Sequence, residues 1–213
     1  MTAADPSYDC PILHVDMDAF YASVATRDRP DLQEDLKVIV HEAIRSREIV
    51  KSLLDFARPR RPEWREVDLS QVLDSVIDLV SHSAGKSFRF HKETISGVPR
   101  LLGDAEQLTQ VMMNLTLNAA QAMPEGGDVW LTTRHEDGGI VIQIRDQGGG
   151  IPEENMDNIF DPFFTTKDTG TGLGLSVVHQ IVTQHGGTVT VIRNQDKGTT
   201  FRLFFPQARG DLA

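Results

Sequence analysis

Between residues 31 and 57 the apolar positions Leu36, Val40, Ala43, Val50 and Leu54, with Ile39, Ile49 and Leu53 beside them, recur at three- and four-residue steps. That period predicts an amphipathic helix of about seven turns. Pro59 and Pro62 end it. A second helix is expected to start at Asp68, an N-cap type of residue, and to run through Val80 with Val72, Val76 and Ile77 on one side. A third, from Asp104 to Met123, carries Leu108, Val111, Met112, Leu115, Ala119 and Ala122 at helical spacing. The period changes to two at Phe88–Thr94, Val129–Thr133, Ile140–Arg145, Thr188–Ile192 and Thr200–Phe205, which predicts strands. A last helix, from Ser176 to His185, is stopped by Gly186 and Gly187. Helices that can cover one face of a mixed sheet give an α/β two-layer sandwich. Residues 1–10 and the tail after Pro206 carry no pattern and are expected to be loose.

The chemistry collects beside these elements. Gly170, Gly172 and Gly174 in TGTGLGLS let backbone N–H groups approach an anion closely, and the helix that follows points its positive dipole end at the same place. Asp146 stands at the end of the Ile140–Arg145 strand, before three glycines, where a carboxylate could accept a hydrogen bond from an exocyclic amine. Asn114 and Asn118 are four apart on one helix, hence on one face. Two carboxamide oxygens so placed suit a hard cation such as Mg²⁺, which takes its remaining ligands from water and phosphate.

Charge narrows the choice of partner. With 21 Lys and Arg against 31 Asp and Glu, the net charge is -10, and no basic surface for duplex nucleic acid is expected. The one basic cluster, Arg58 to Arg61, lies between prolines and reads as a hinge. The single cysteine, Cys10, excludes an internal disulfide and fits a reducing compartment. No apolar run approaches the roughly 20 residues of a membrane span, so the expected location is cytoplasmic.

Together these motifs resemble the GHKL ATP-binding fold, and most closely the catalytic domain of two-component sensor histidine kinases. Gln110 to Ala119 is similar to that family's N box, Asp146 to Gly150 to its first glycine box, Phe160 to Phe164 to its F box, and Gly170 to Gly174 to its second glycine box. The wording FDPFFTTK, then GTGLGLSVV, then HGG, is similar to the nitrogen-regulatory branch. The resemblance covers about residues 30 to 206 and implies ATP or ADP with Mg²⁺ as cofactors. It implies that Asp146 accepts from the adenine amino group, that Gly148, Gly150 and Ile151 shape the base pocket, and that Asn118 with Asn114 holds Mg²⁺. Lys167, Gly170, Thr171, Gly172, Leu173 and Gly174 would surround the phosphates. Phe160, Phe163 and Phe164 are read as packing that anchors a mobile lid, and His179 and His185 as structural.

EAIRSREIVKSLLDFARP resembles the second helix of the dimerisation and phosphoacceptor hairpin of these kinases, which implies a homodimer through N-terminal helices and a response regulator receiver domain as partner. The first, acceptor-bearing helix is not recognisable. His41-Glu42 opens like an acceptor motif but lacks the following Asn-Pro or Thr-Pro, so His41 reads as a helix-surface residue. Residues 11–30, with Asp16 and Tyr21, instead resemble the opening strand and turn of Y-family DNA polymerases. The later carboxylates of that family appear nowhere, so a two-metal polymerase site cannot be completed. The expected organisation is a polymerase-like graft at 1–30, a partial dimerisation helix at 31–60, an ATP-binding catalytic domain at 61–208 and a tail at 209–213. Two functions follow as expectations: phosphoryl transfer from ATP to a histidine and onward to a receiver domain, or a nucleotide-binding switch without kinase chemistry.

Overall fold

The structure is a computed structural model that describes residues 62–84, 87–94, 100–136, 138–167 and 170–206, with helical positions scattered between Asp35 and Val50. Cys10, the polymerase-like segment, His41 and the basic cluster at 58–61 lie outside the described residues. The chain divides into two units, residues 1–51 and 52–213. In the first, the described positions are helical, and Leu36, Val38, Ile39, Val40 and Val50 are exposed.

The second unit opens with a short strand, β1 (Arg65–Val67), and the helix α1 (Leu69–Ala84). Asp68 caps α1 as its residue type predicts, accepting from the backbone N–H groups of Ser70 at 2.9 Å and Gln71 at 3.3 Å. Then come β2 (Phe88–Thr94), β3 (Leu101–Gly103), α2 (Ala105–Gln121), β4 (Gly127–Glu136), β5 (Gly139–Arg145), α3 (Gly174–Gln184), β6 (Thr188–Arg193) and β7 (Thr199–Pro206). A single 3₁₀ turn, Glu153–Asn155, lies between β5 and α3.

Five strands form one sheet in the order β2-β4-β5-β7-β6, with β2 parallel to β4 and the other neighbours antiparallel. Alternation sends Val129 and Leu131, Ile140, Ile142 and Ile144, and Phe201, Leu203 and Phe205 to one buried face. Leu73 and Val76 of α1, Leu108, Met112 and Leu115 of α2, and Val178 and Val182 of α3 complete that core. The opposite face is polar and aromatic: the His91 ring stacks on Trp130 at 5.3 Å, and the Arg145 guanidinium also lies 5.3 Å from the Trp130 ring centre. The two-layer α/β expectation therefore holds for residues 62–206. Two details differ. α1 continues four residues past Val80, beginning with Ser81 and His82, which are exposed and carry no apolar signal. β1 and β3 pair antiparallel as a separate two-stranded ribbon, each too short to show an alternating pattern.

Candidate functional site

Helix α2 is the backbone of the site, and its start is fixed by one carboxylate. Asp104 Oδ1 accepts from the N–H groups of Glu106 at 2.9 Å and Gln107 at 3.0 Å, while Oδ2 accepts from Glu63 at 2.8 Å. Burial pushes the Asp104 pKa up, but the three backbone bonds outweigh it and hold the carboxyl below its ordinary range. The backbone N–H of Asp104 in turn donates to His185 Nε2 at 3.0 Å. Nε2 is therefore the acceptor, so Nδ1 carries the proton and donates to the Ile181 carbonyl at 2.8 Å. His185 ties the end of α3 to the start of α2, a structural role as the sequence suggests.

Asn114, Asn118 and Gln121 follow one another at steps of four and three along α2 and share a face. Asn114 Nδ2 donates to the Gly174 carbonyl at 3.2 Å and so pins the first residue of α3. The Lys167 ammonium donates to Asn118 Oδ1 at 3.2 Å and to Gln121 Oε1 at 2.7 Å. Lys167 is an exposed residue, yet its ammonium folds inward onto these oxygens. Burial pushes its pKa down, and the Asp146 carboxylate pulls it partly back.

Asp146 sits just past β5 and is 3% exposed. Its Oδ1 accepts from the N–H groups of Gly148 at 2.8 Å and Thr199 at 3.1 Å. Both of these bonds fall on Oδ1, and among the described residues none is made to Oδ2. Burial pushes the Asp146 pKa up, against the two backbone bonds and the Lys167 charge. The main chain of Asp146 is held as well, by N–H donation to the Thr199 carbonyl at 2.9 Å and by Asn194 Nδ2 donating to its carbonyl at 3.1 Å. A Cβ on Gly148 would lie 2.6 Å from the Ala122 carbonyl oxygen, so only glycine lets the segment after Asp146 lie against the end of α2. Gly150 has a φ of +78° and no close neighbour, and Ile151 packs against the core.

Leu173 stands at the N-cap of α3 and makes no side-chain cap bond. Thr171 Oγ1 accepts from the Leu173 N–H at 3.4 Å, and Gly170 lies against Thr165. Phe160 and Phe164 pack on the core, and Phe160 contacts the His179 ring at 5.6 Å. Phe163 departs from the expectation for the three rings: it is 59% exposed with a φ of +69°. Its N–H donates to the Gly172 carbonyl at 2.9 Å. Gly172 also has a φ of +69°, and a Cβ there would overlap the Phe163 backbone. Gly172→Ala is therefore expected to release the 163–172 loop, through strain of about 1–3 kcal/mol. Faster amide exchange across the loop, with the core strands unchanged, is the expected readout; unchanged exchange would remove the strain argument.

These residues fit a divalent cation bound with phosphate. Asn118 and Gln121 aim carboxamide oxygens at a point where a positive charge already rests. Among the described residues no three His, Cys, Asp or Glu side chains gather to hold a metal. The donor set is thus neutral oxygen completed by ligand oxygens, the mode that suits Mg²⁺.

Four residues of the site escaped the sequence reading. Gln121 was findable from its step of three beyond Asn118. Asn194, Gly198 and Thr199 were not: they come from the β6–β7 turn and the start of β7, where Gly198 lies so close that a Cβ on it would overlap the Asp146 carbonyl oxygen.

The family described as "Histidine kinase-, DNA gyrase B-, and HSP90-like ATPase" matches residues 103–209, half of the chain. The chain belongs to this family. Its relatives within the ATPase family are sensor histidine kinases. It is 39% identical over 171 residues to the sensor histidine kinase ZraS of Escherichia coli (strain K12), covering 80% of this chain and 37% of ZraS. The catalytic domain of the histidine kinase ThkA, solved free of nucleotide, is 33% identical with a TM-score of 0.63, over 68% of this chain and 95% of that one. ThkA in complex with the response regulator TrrA superposes with a TM-score of 0.71 at 29% identity, over 92% of this chain and 57% of that one. The sheet and helices of residues 62–206 are accordingly a histidine-kinase type of ATPase domain. The chain spans little more than a third of the length of the curated relative. No helix among the described residues is long and apolar enough to cross a membrane.

Proposed function

We propose that this chain is the ATP-binding catalytic part of a two-component sensor histidine kinase, which moves the ATP γ-phosphoryl group to a histidine and onward to a receiver domain in the cytoplasm. The observation that carries this reading is the Asp146 carboxylate, buried with both backbone donations on Oδ1 and, among the described residues, none on Oδ2. Oδ2 accepts from the adenine amino group; guanine presents a carbonyl at that position and would leave two acceptors facing each other. The α3 N-terminus and the Gly170–Gly174 backbone receive the phosphates, and Lys167 adds charge. Asn118, with Asn114 beside it, would hold Mg²⁺, which when bound would supply charge compensation for the phosphates.

We further propose that residues 31–60 form part of a dimerisation hairpin, through which two copies associate, and that residues 1–30 are a graft in place of the acceptor helix. The chain alone then binds nucleotide with little self-phosphorylation. A nucleotide-binding switch is the second reading, favoured by the missing acceptor motif. Incubation with γ-labelled ATP separates them: acid-labile, alkali-stable label on the chain or on an acceptor hairpin supplied in trans supports the kinase. Stoichiometric phosphohistidine at His41 would overturn the reading of that helix.

Asn118→Asp is expected to change Mg²⁺ dependence more than affinity for the base, since it adds charge at the cation and not at Asp146. Nucleotide titrations with and without Mg²⁺ test this. Equal weakening in both would mean a folding defect.

A further inference from the structure

The position of Lys167 bears on how the site is kept ready before a metal arrives. Its ammonium rests on two neutral carboxamide oxygens of α2, Gln121 Oε1 at 2.7 Å and Asn118 Oδ1 at 3.2 Å. It also lies within the field of Asp146. We infer that Lys167 is a resident stand-in for the divalent cation, stored by Gln121, which lets the site take up nucleotide without metal and is displaced from Asn118 when the metal binds. This rests on the nucleotide reading above.

The physical grounds are competition and reach. Mg²⁺ binds oxygen at about 2.0–2.1 Å in near-ideal octahedral geometry, so it cannot share Asn118 Oδ1 with an ammonium at hydrogen-bond distance. The lysine can yield, because its charge sits on a flexible stem with three rotatable donors. Its longer contact is the one to Asn118, the oxygen the metal needs. The shorter contact, to Gln121, lies one helical turn further on and holds the ammonium within reach of bound phosphate. Gln121 is therefore a positioning residue, acting through Lys167. Until the metal comes, a positive charge already faces the place where phosphate oxygens collect. Metal-free nucleotide then meets a compensated site instead of bare amide dipoles and the Asp146 charge.

Calorimetric titration of the full chain with ADP, in Mg²⁺ and in EDTA, tests the inference. Lys167→Met is expected to widen the gap between the two affinities by about tenfold or more, the size of one lost bond to a charged group. Gln121→Leu should widen it in the same direction by less. Lys167→Arg, which keeps the charge, should lie closer to the wild type. Equal loss in Mg²⁺ and EDTA for Lys167→Met would make the residue an ordinary phosphate contact and overturn the stand-in role. No binding by the wild-type chain in either condition is a separate pattern: it removes the nucleotide reading and this inference with it. Circular dichroism melts of each variant confirm that the fold is kept.

Discussion

Replacing Asp146 with Asn is expected to stabilise the nucleotide-free chain while it weakens adenine-nucleotide binding. Burial raises the Asp146 pKa, so the folded chain holds this proton more tightly than the unfolded chain does. The stability from that proton is fully present below the ordinary aspartate range and is lost as pH rises through the folded value. At neutral pH the ionised carboxylate is thus a cost to the fold. Asn keeps an oxygen for the Gly148 and Thr199 N–H groups and carries no charge to desolvate. A rise in Tm is therefore expected at pH 7, shrinking as the pH falls through the raised folded value and gone below about 4, the ordinary aspartate range. Binding moves the other way. An amide can present its donor to the adenine amine, and the loss should be about 1–3 kcal/mol, or about five- to 150-fold in Kd. A variant that is more stable and binds equally well would contradict the adenine role.

Asp104→Ala is expected to be the most damaging single change at the edge of the site. It removes the carboxylate that accepts from the N–H groups of Glu63, Glu106 and Gln107. Loss of a helix cap costs about 0.5–2 kcal/mol, and the bond to the Glu63 segment adds about 1 kcal/mol. The sum, about 1.5–3 kcal/mol, corresponds to a fall in Tm of about 3–12 °C. Because the Asp104 pKa is lowered in the fold, the stability it gives is present above the ordinary aspartate range and is lost as pH falls through the folded value. Asp104→Asn, which retains the Oδ1 acceptor for Glu106 and Gln107, should recover most of the loss. Urea melts of the three proteins decide it; equal destabilisation by Ala and Asn would mean that the charge, and not the cap geometry, matters.

What could be read from the sequence was what repeats locally. The period of Leu108, Val111, Met112 and Leu115 defines α2, and the spacing of Asn114 and Asn118 puts both on one face of it. Strand alternation locates β5, and with it Asp146 at the strand end. What could not be read depends on contacts across the fold. Thr199 and Asn194 hold Asp146 only because β7 pairs with β5 and the β6–β7 turn folds back over the strand end. Phe163 was read with Phe160 and Phe164 as packing, yet neighbouring residues in a loop cannot all face one core. Its positive φ turns the ring outward while its N–H is spent on Gly172. The β1–β3 ribbon joins segments whose three residues carry too little pattern to be found alone.

The claim that residues 62–206 bind an adenine nucleotide through Asp146 is tested most directly by calorimetric titration of the unmodified chain with a non-hydrolysable ATP analogue and its guanine counterpart, both with Mg²⁺. Micromolar binding of the adenine form is expected, with the guanine form weaker by about tenfold or more because its carbonyl would oppose a buried carboxylate. Equal affinity for the two bases, or no binding of either, would contradict the account.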